Sequence, residues 1–222
     1  MMNNLFSIFD PSSSPNMSLN WISIFSIIFI TPMMYWANPS RIHFYWLLIS
    51  KFLMKELKNN FSKTNMKFLL LFLSIFWLIL SMNFLGLYPY IFTPTSHINI
   101  TSFMALPMWL SFMLFGWVMH FNKMFSHLVP LGTPIFLSSF MVCIETISNM
   151  IRPLTLAVRL SANMISGHLL ICLLSNILHY NSLMFPLIIP VMLILMLLES
   201  AVAMIQSYVF IMLTTLYLSE IN

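Results

Sequence analysis

The chain has 222 residues, of which 60% are hydrophobic and only 14 are charged, nine Lys or Arg and five Asp or Glu. Mean hydropathy is +0.92, and the intervals Asp10 to Arg41, Lys67 to Lys123 and Arg159 to Glu199 carry no charge. Each interval exceeds the ~20 residues that span a bilayer, which excludes a soluble domain and makes the chain a polytopic membrane protein. The net charge of +4 comes mainly from one lysine cluster, so it bears on orientation and predicts no nucleic-acid partner. Four glycines and no Gly-rich loop leave nothing to cradle a nucleotide phosphate, and neither a cofactor nor a metal is expected.

Residues 1–16 form an N-terminal arm with turn signals at Asp10-Pro11, a serine triplet and Pro15. They lack the basic region of a cleavable signal, so none is expected. Residues 17–37 are charge-free and read as a first span, ended by Asn38-Pro39 because the residue before proline leaves the helical region. In the segment 41–64, Lys51, Lys55 and Lys58 share one helical face, opposite Trp46, Ile49, Leu53 and Leu57. That pattern predicts an amphipathic helix on a membrane surface. Its basic residues place it on the matrix or cytoplasmic side, with the N-terminus opposite.

Residues 68–87 are a second span and 88–100 an outer loop. Residues 102–121 form a third segment, interrupted by Pro107 and leading to the weakly basic turn His120, Lys123, His127. His120 and His127 share a face but are not paired at mid-membrane, so no haem site is expected. Pro130, Gly132 and Pro134 break the chain before two long segments, 135–178 and 183–219, joined by the turn HYNS. The first is about twice the ~30 Å hydrocarbon core in length and must tilt or kink, with Pro153 the expected kink. Cys143 and Cys172 lie 29 residues apart on it, roughly 40 Å along the axis, so no disulfide joins them. The predicted architecture is all-α: one membrane domain over 1–222, about five membrane segments plus a surface amphipathic helix, the last two a long tilted hairpin with the C-terminus inside.

Within 135–178, Glu145, Arg152 and Arg159 recur every seven residues, and Asn149 and Asn163 stand at steps of four. Such spacings keep side chains near one helical face. Ionisable groups at membrane depth cost roughly 2.5–3.5 kcal/mol each on insertion scales and are functional candidates. The stripe reads as a proton path. Arg159 stays protonated and serves as a fixed barrier charge, the alternative being a salt bridge to Glu199. His168, which can exchange protons near neutral pH, faces Glu199 across the predicted hairpin, and Gln206 shares the Glu199 face. Glu145 and Arg152 either line a second aqueous entry or form a structural pair. A secondary transporter or a proton-coupled respiratory subunit is the competing reading, but no inverted repeat is visible.

The run Arg152 to His168, RPLTLAVRLSANMISGH, resembles the signature of subunit a (ATP synthase subunit 6) of F-type ATP synthases. The Glu199 to Gln206 pair and LTTLYL near the C-terminus fit the same family. The opening NLFSIFDPSS is similar to its invertebrate mitochondrial members, and the 21 Met and 21 Phe are similar to products of animal mitochondrial genomes. The resemblance implies a proton-conducting stator subunit, not an enzyme on its own, that forms two aqueous half-channels against a ring of subunit c. Arg159 would be the essential charge between them. Asn163, His168, Glu199 and Gln206 would line the intermembrane-space path, and Glu145, Ser148 and Arg152 the matrix path. Many bacterial members carry the His168 and Glu199 types exchanged. Implied partners are the c-ring, other membrane-sector and peripheral-stalk subunits, lipid and protons. The implied location is the mitochondrial inner membrane, N-terminus in the intermembrane space and C-terminus in the matrix.

Overall fold

A computed structural model describes residues 5–14, 17–32, 36–61, 65–129, 134–180 and 185–221. Pro15, Lys63, Pro130, Gly132 and the turn residues Asn181 and Ser182 lie outside that set. The described chain is helical: α1 (Ser26–Ile30), α2 (Arg41–Asn60), α3 (Leu69–Gly86), α4 (Ile98–Met119), α5 (Phe121–Leu128), α6 (Ile135–Tyr180) and α7 (Phe185–Ile221). Four helices are long and apolar enough to cross a membrane, over Met66–Gly86, Ile98–Met119, Phe136–Leu178 and Phe185–Ser219. The all-α polytopic class and the two long C-terminal helices are those expected.

The segment 17–37 differs from a continuous span. It is a 3₁₀ turn over Leu19–Phe25 followed by α1, which ends at Ile30. Thr31 is extended, with φ −66° and ψ 118°, because Pro32 follows it and disfavours the helical region. The end therefore falls well before Asn38-Pro39. Counting charges alone passed over a proline within the run.

Helix α2 begins at Ser40, whose hydroxyl accepts the His43 backbone N–H at 3.3 Å and so satisfies one orphan donor of the first turn. Its lysines are exposed, whereas Leu53 and Leu57 are buried. Trp46 stacks on Trp77 of α3 with ring centroids 3.5 Å apart. The apolar face of α2 is thus packed largely on its own protein, against α3 and α7, rather than left to the bilayer. Ile49 stays exposed. At the far end of the helix, Tyr208 of α7 donates its hydroxyl to Glu56 at 3.0 Å.

Of residues 88–100, expected as an outer loop, 88–97 connect α3 to α4 and are exposed at Tyr88, Pro89 and Tyr90. Thr93, Pro94, Thr95 and Ser96 are buried around a 3₁₀ turn, Pro94–Ser96. Ser96 Oγ donates to the Thr93 carbonyl at 2.7 Å and Thr93 Oγ1 to Ser96 Oγ at 3.3 Å, while Thr95 Oγ1 is buried without a partner among the described residues. The turn packs on α3, α4 and α6. After α4, the basic turn is itself helical, as α5, with Trp117, Phe121 and Phe125 in mutual edge contact.

The core joins α2, α3, α4, α6 and α7 through Leu57, Phe72, Ile79, Phe112, Leu160 and Phe210. Helix α6 continues through Pro153 for 46 residues, about 70 Å at 1.5 Å per residue. Both cysteines lie on it and are free. Helix α7 runs antiparallel to it in sequence order and packs along it.

Candidate functional site

Helix α6 carries all the stripe residues, and the bundle distributes them unequally. Arg159 is exposed, and it has no ion pair with any described residue. The salt bridge to Glu199 is not formed. Around it the outer face of α6 is apolar or small: Ile151, Leu154, Thr155, Val158, Ala162 and Ser166 are all exposed. Leu197, Leu198 and Ile205 extend that face onto α7.

Beyond Arg159, Asn163 of α6 meets Gln206 of α7, and Glu199 of α7 packs one residue before His168. Asn163 donates its side-chain N–H to Gln206 Oε1 at 3.1 Å. Glu199 is 7% exposed and lies against Gly167, where a Cβ would fall 2.6 Å from Glu199 Oε1. Only glycine lets the carboxylate approach the α6 backbone so closely. His168 is the next residue. No hydrogen bond joins it to Glu199: His168 Nε2 and both Glu199 carboxylate oxygens are buried without a partner among the described residues. A cavity of about 140 Å³ is lined by Asn163, Ser166, Gly167, Leu195, Leu198 and Glu199, among others, but not by His168 or Gln206. A site of roughly 10–15 Å³ already admits one water when polar partners are present, so this cavity accommodates a short chain of waters.

Toward the N-terminal end of α6, Glu145 and Arg152 meet at 3.9 Å, each about a third exposed. The Arg152 guanidinium also lies over the Tyr217 ring, 5.2 Å from its centroid. Both charges line a larger cavity of about 560 Å³, together with Thr146, Asn149, Tyr217 and an aromatic wall that includes Trp109 and Trp117. Ser148 is not in that wall; its hydroxyl donates to the Glu145 carbonyl at 2.9 Å. Glu145 and Arg152 are thus an ion pair and cavity-lining residues at once. Arg159 lines neither cavity, and it stands between the two along α6, seven residues beyond Arg152 and four before Asn163.

Three contacts at the His168 end of α6 were not read from the sequence. The N-terminal 3₁₀ turn Leu5–Phe9 reaches α6, and the Phe9 ring meets His168 edge-on with centroids 6.3 Å apart. His97 Nε2 bonds the Phe9 carbonyl at 2.9 Å. None repeats with a helical period, and Phe9 is 159 positions from His168, so no local pattern announces them.

Residues 17–219 match the protein family described as "ATP synthase A chain". Over the full length of both chains, the protein is 55% identical to "ATP synthase subunit a" of Anopheles gambiae. It is 54% identical, again over both full lengths, to the proteins so named of Drosophila melanogaster and Aedes aegypti. A polar stripe on one long membrane helix, two cavities that flank a single arginine, and a match covering nearly every residue lead to one conclusion: this chain belongs to the ATP synthase A chain family.

Proposed function

We propose that the chain is the proton-conducting stator subunit of the membrane sector of a mitochondrial F-type ATP synthase. The observation that carries this is the placement of Arg159: an exposed cation on an apolar face, between two cavities. An unpaired charge at membrane depth is costly, so its partner comes from outside the chain. A carboxylate on a ring of small membrane proteins is that partner. Small neighbours such as Thr155, Ala162 and Ser166 leave room for a second helix to approach.

In this reading, the 140 Å³ cavity is the inner end of the intermembrane-space path. Protons pass His168, Asn163, Glu199 and Gln206 and neutralise a ring carboxylate. The 560 Å³ cavity is the matrix exit, along Glu145, Arg152 and the Ser148 backbone turn. One charge crossing about 100 mV releases about 2.3 kcal/mol, and a direct passage between the cavities would dissipate it. Arg159 prevents that by repelling protons while attracting each deprotonated ring carboxylate. A lysine is a poor replacement, because it loses its proton readily when buried and lacks the planar fork. The N-terminus then faces the intermembrane space and the C-terminus the matrix. The chain itself makes and breaks no covalent bonds.

The test is proximity. In a Cys143→Ser, Cys172→Ser background, Ala162→Cys carries a short photo-crosslinker in the assembled complex. Cross-linking to a small ring-forming membrane protein is expected. Cross-linking to lipid alone, or to redox-centre subunits, would contradict the reading.

A further inference from the structure

The N-terminal arm touches His168 from outside the α6–α7 hairpin. Phe9, the last residue of its 3₁₀ turn Leu5–Phe9, presents its ring edge-on to the imidazole at 6.3 Å and an interplanar angle of 86°. The imidazole has no polar restraint at Nε2, which is buried without a partner among the described residues. Phe9 is held by its backbone: the Phe9 carbonyl bonds His97 Nε2 at 2.9 Å. A carbonyl only accepts, so Nε2 carries the proton and donates. His97 is held in turn by two rings, Trp21 at 5.2 Å and Phe92 at 5.4 Å, which also touch each other at 5.4 Å. A chain of contacts therefore runs from the Trp21–Phe92 pair through His97 and the Phe9 backbone to the His168 ring.

We infer that Phe9 is a positioning residue for proton transfer at His168, fixed in place by the hydrogen bond from His97 to its carbonyl. The inference rests on His168 belonging to the proton path. The arm limits the imidazole to orientations compatible with the edge contact, so that Nε2 stays inside the buried site rather than swinging toward the arm. An aromatic edge contact of this kind favours one rotamer several-fold. The groups that bear on His168 charge are Glu199 on α7, packed at Gly167, and on the arm side Asp10, which is exposed and follows Phe9, and His97. On α6 itself the nearest charge is Arg159, nine residues away.

The experiment measures ATP-driven proton pumping and its pH profile in the assembled complex, for Phe9→Ala, Phe9→Leu, Phe9→Tyr, His97→Ala and His97→Gln, with His168→Ala in parallel. Misplacing a transfer group by about 1 Å costs up to about 100-fold, and a loss of roughly tenfold with a displaced pH profile is expected for Phe9→Ala and Phe9→Leu. Phe9→Tyr keeps the ring and retains pumping. His97→Gln, whose amide can still donate, retains more pumping than His97→Ala. Adding His97→Ala to Phe9→Ala gives no further loss, because both act through one contact. Phe9→Leu supplies the readout if Phe9→Ala reduces assembly. Unchanged rate and pH profile in Phe9→Leu, with His168→Ala inactive, would overturn the positioning role alone. Full pumping by His168→Ala would overturn the path assignment and the inference with it.

Discussion

At residue scale, the close fit of Glu199 on Gly167 makes the sharpest demand on the site. Gly167→Ala puts a Cβ 2.6 Å from Glu199 Oε1, nearer than two such atoms pack, so the carboxylate or helix α7 must shift. Overpacking of this kind costs about 1–3 kcal/mol, and each ~1.4 kcal/mol borne by the transfer step is tenfold in rate. The expected outcome is a complex that assembles but pumps about tenfold more slowly. Pumping at the native rate would mean that the position of Glu199 is not critical. The sequence announced the stripe because charge inside an apolar run is conspicuous and steps of seven mark one face. Asn163 of the stripe and Gln206, which shares the Glu199 face, are bonded at 3.1 Å, a pairing that no spacing announced. The sequence did not reveal why a glycine precedes His168, because that reason lies on another helix, 32 positions away.

At the scale of elements, α2 shows where amphipathicity is ambiguous. A face of Trp46, Leu53 and Leu57 opposite lysines satisfies a membrane surface and a protein groove equally well, and the choice depends on what α3 offers. Trp77 offers a stacking partner. Trp77→Ala removes that stack and leaves a cavity in the core, a change that costs about 3–5 kcal/mol. The expected result is a lower thermal midpoint of the complex together with faster proteolysis at exposed Lys51 or Lys55; an unchanged midpoint would place the anchor of α2 elsewhere, at Tyr208 and Glu56. Two other elements were only partly legible, for physical reasons. A polar composition over 88–100 reads as solvent-facing, yet Thr93 and Ser96 satisfy each other and are buried. A charge-free run over 17–37 reads as one helix, yet Pro32 ends it at Ile30. Helices α6 and α7, which are long and only sparsely interrupted by proline, were legible throughout.

At the scale of the molecule, the hairpin fixes the geometry on which the proposed mechanism depends. Its offset brings Glu199 beside Gly167 rather than beside Arg159, eight residues and about 12 Å along α6. That separation leaves the arginine without an internal counterion among the described residues and turned toward whatever partner the exposed face meets. The two cavities fall on either side of it, one lined through Arg152 and the other from Asn163 onward. The relative depth of the two helices was open to estimate from the turn position, whereas cavities arise from side chains of four helices and have no sequence signature.

The most direct measurement of the central claim is ATP-driven proton pumping by membrane vesicles that carry the assembled complex with Arg159→Ala. The barrier role predicts that coupled pumping is lost while subunit content is unchanged. Pumping at the native rate would contradict it, and Arg159 would then be a bystander on the outer face of α6.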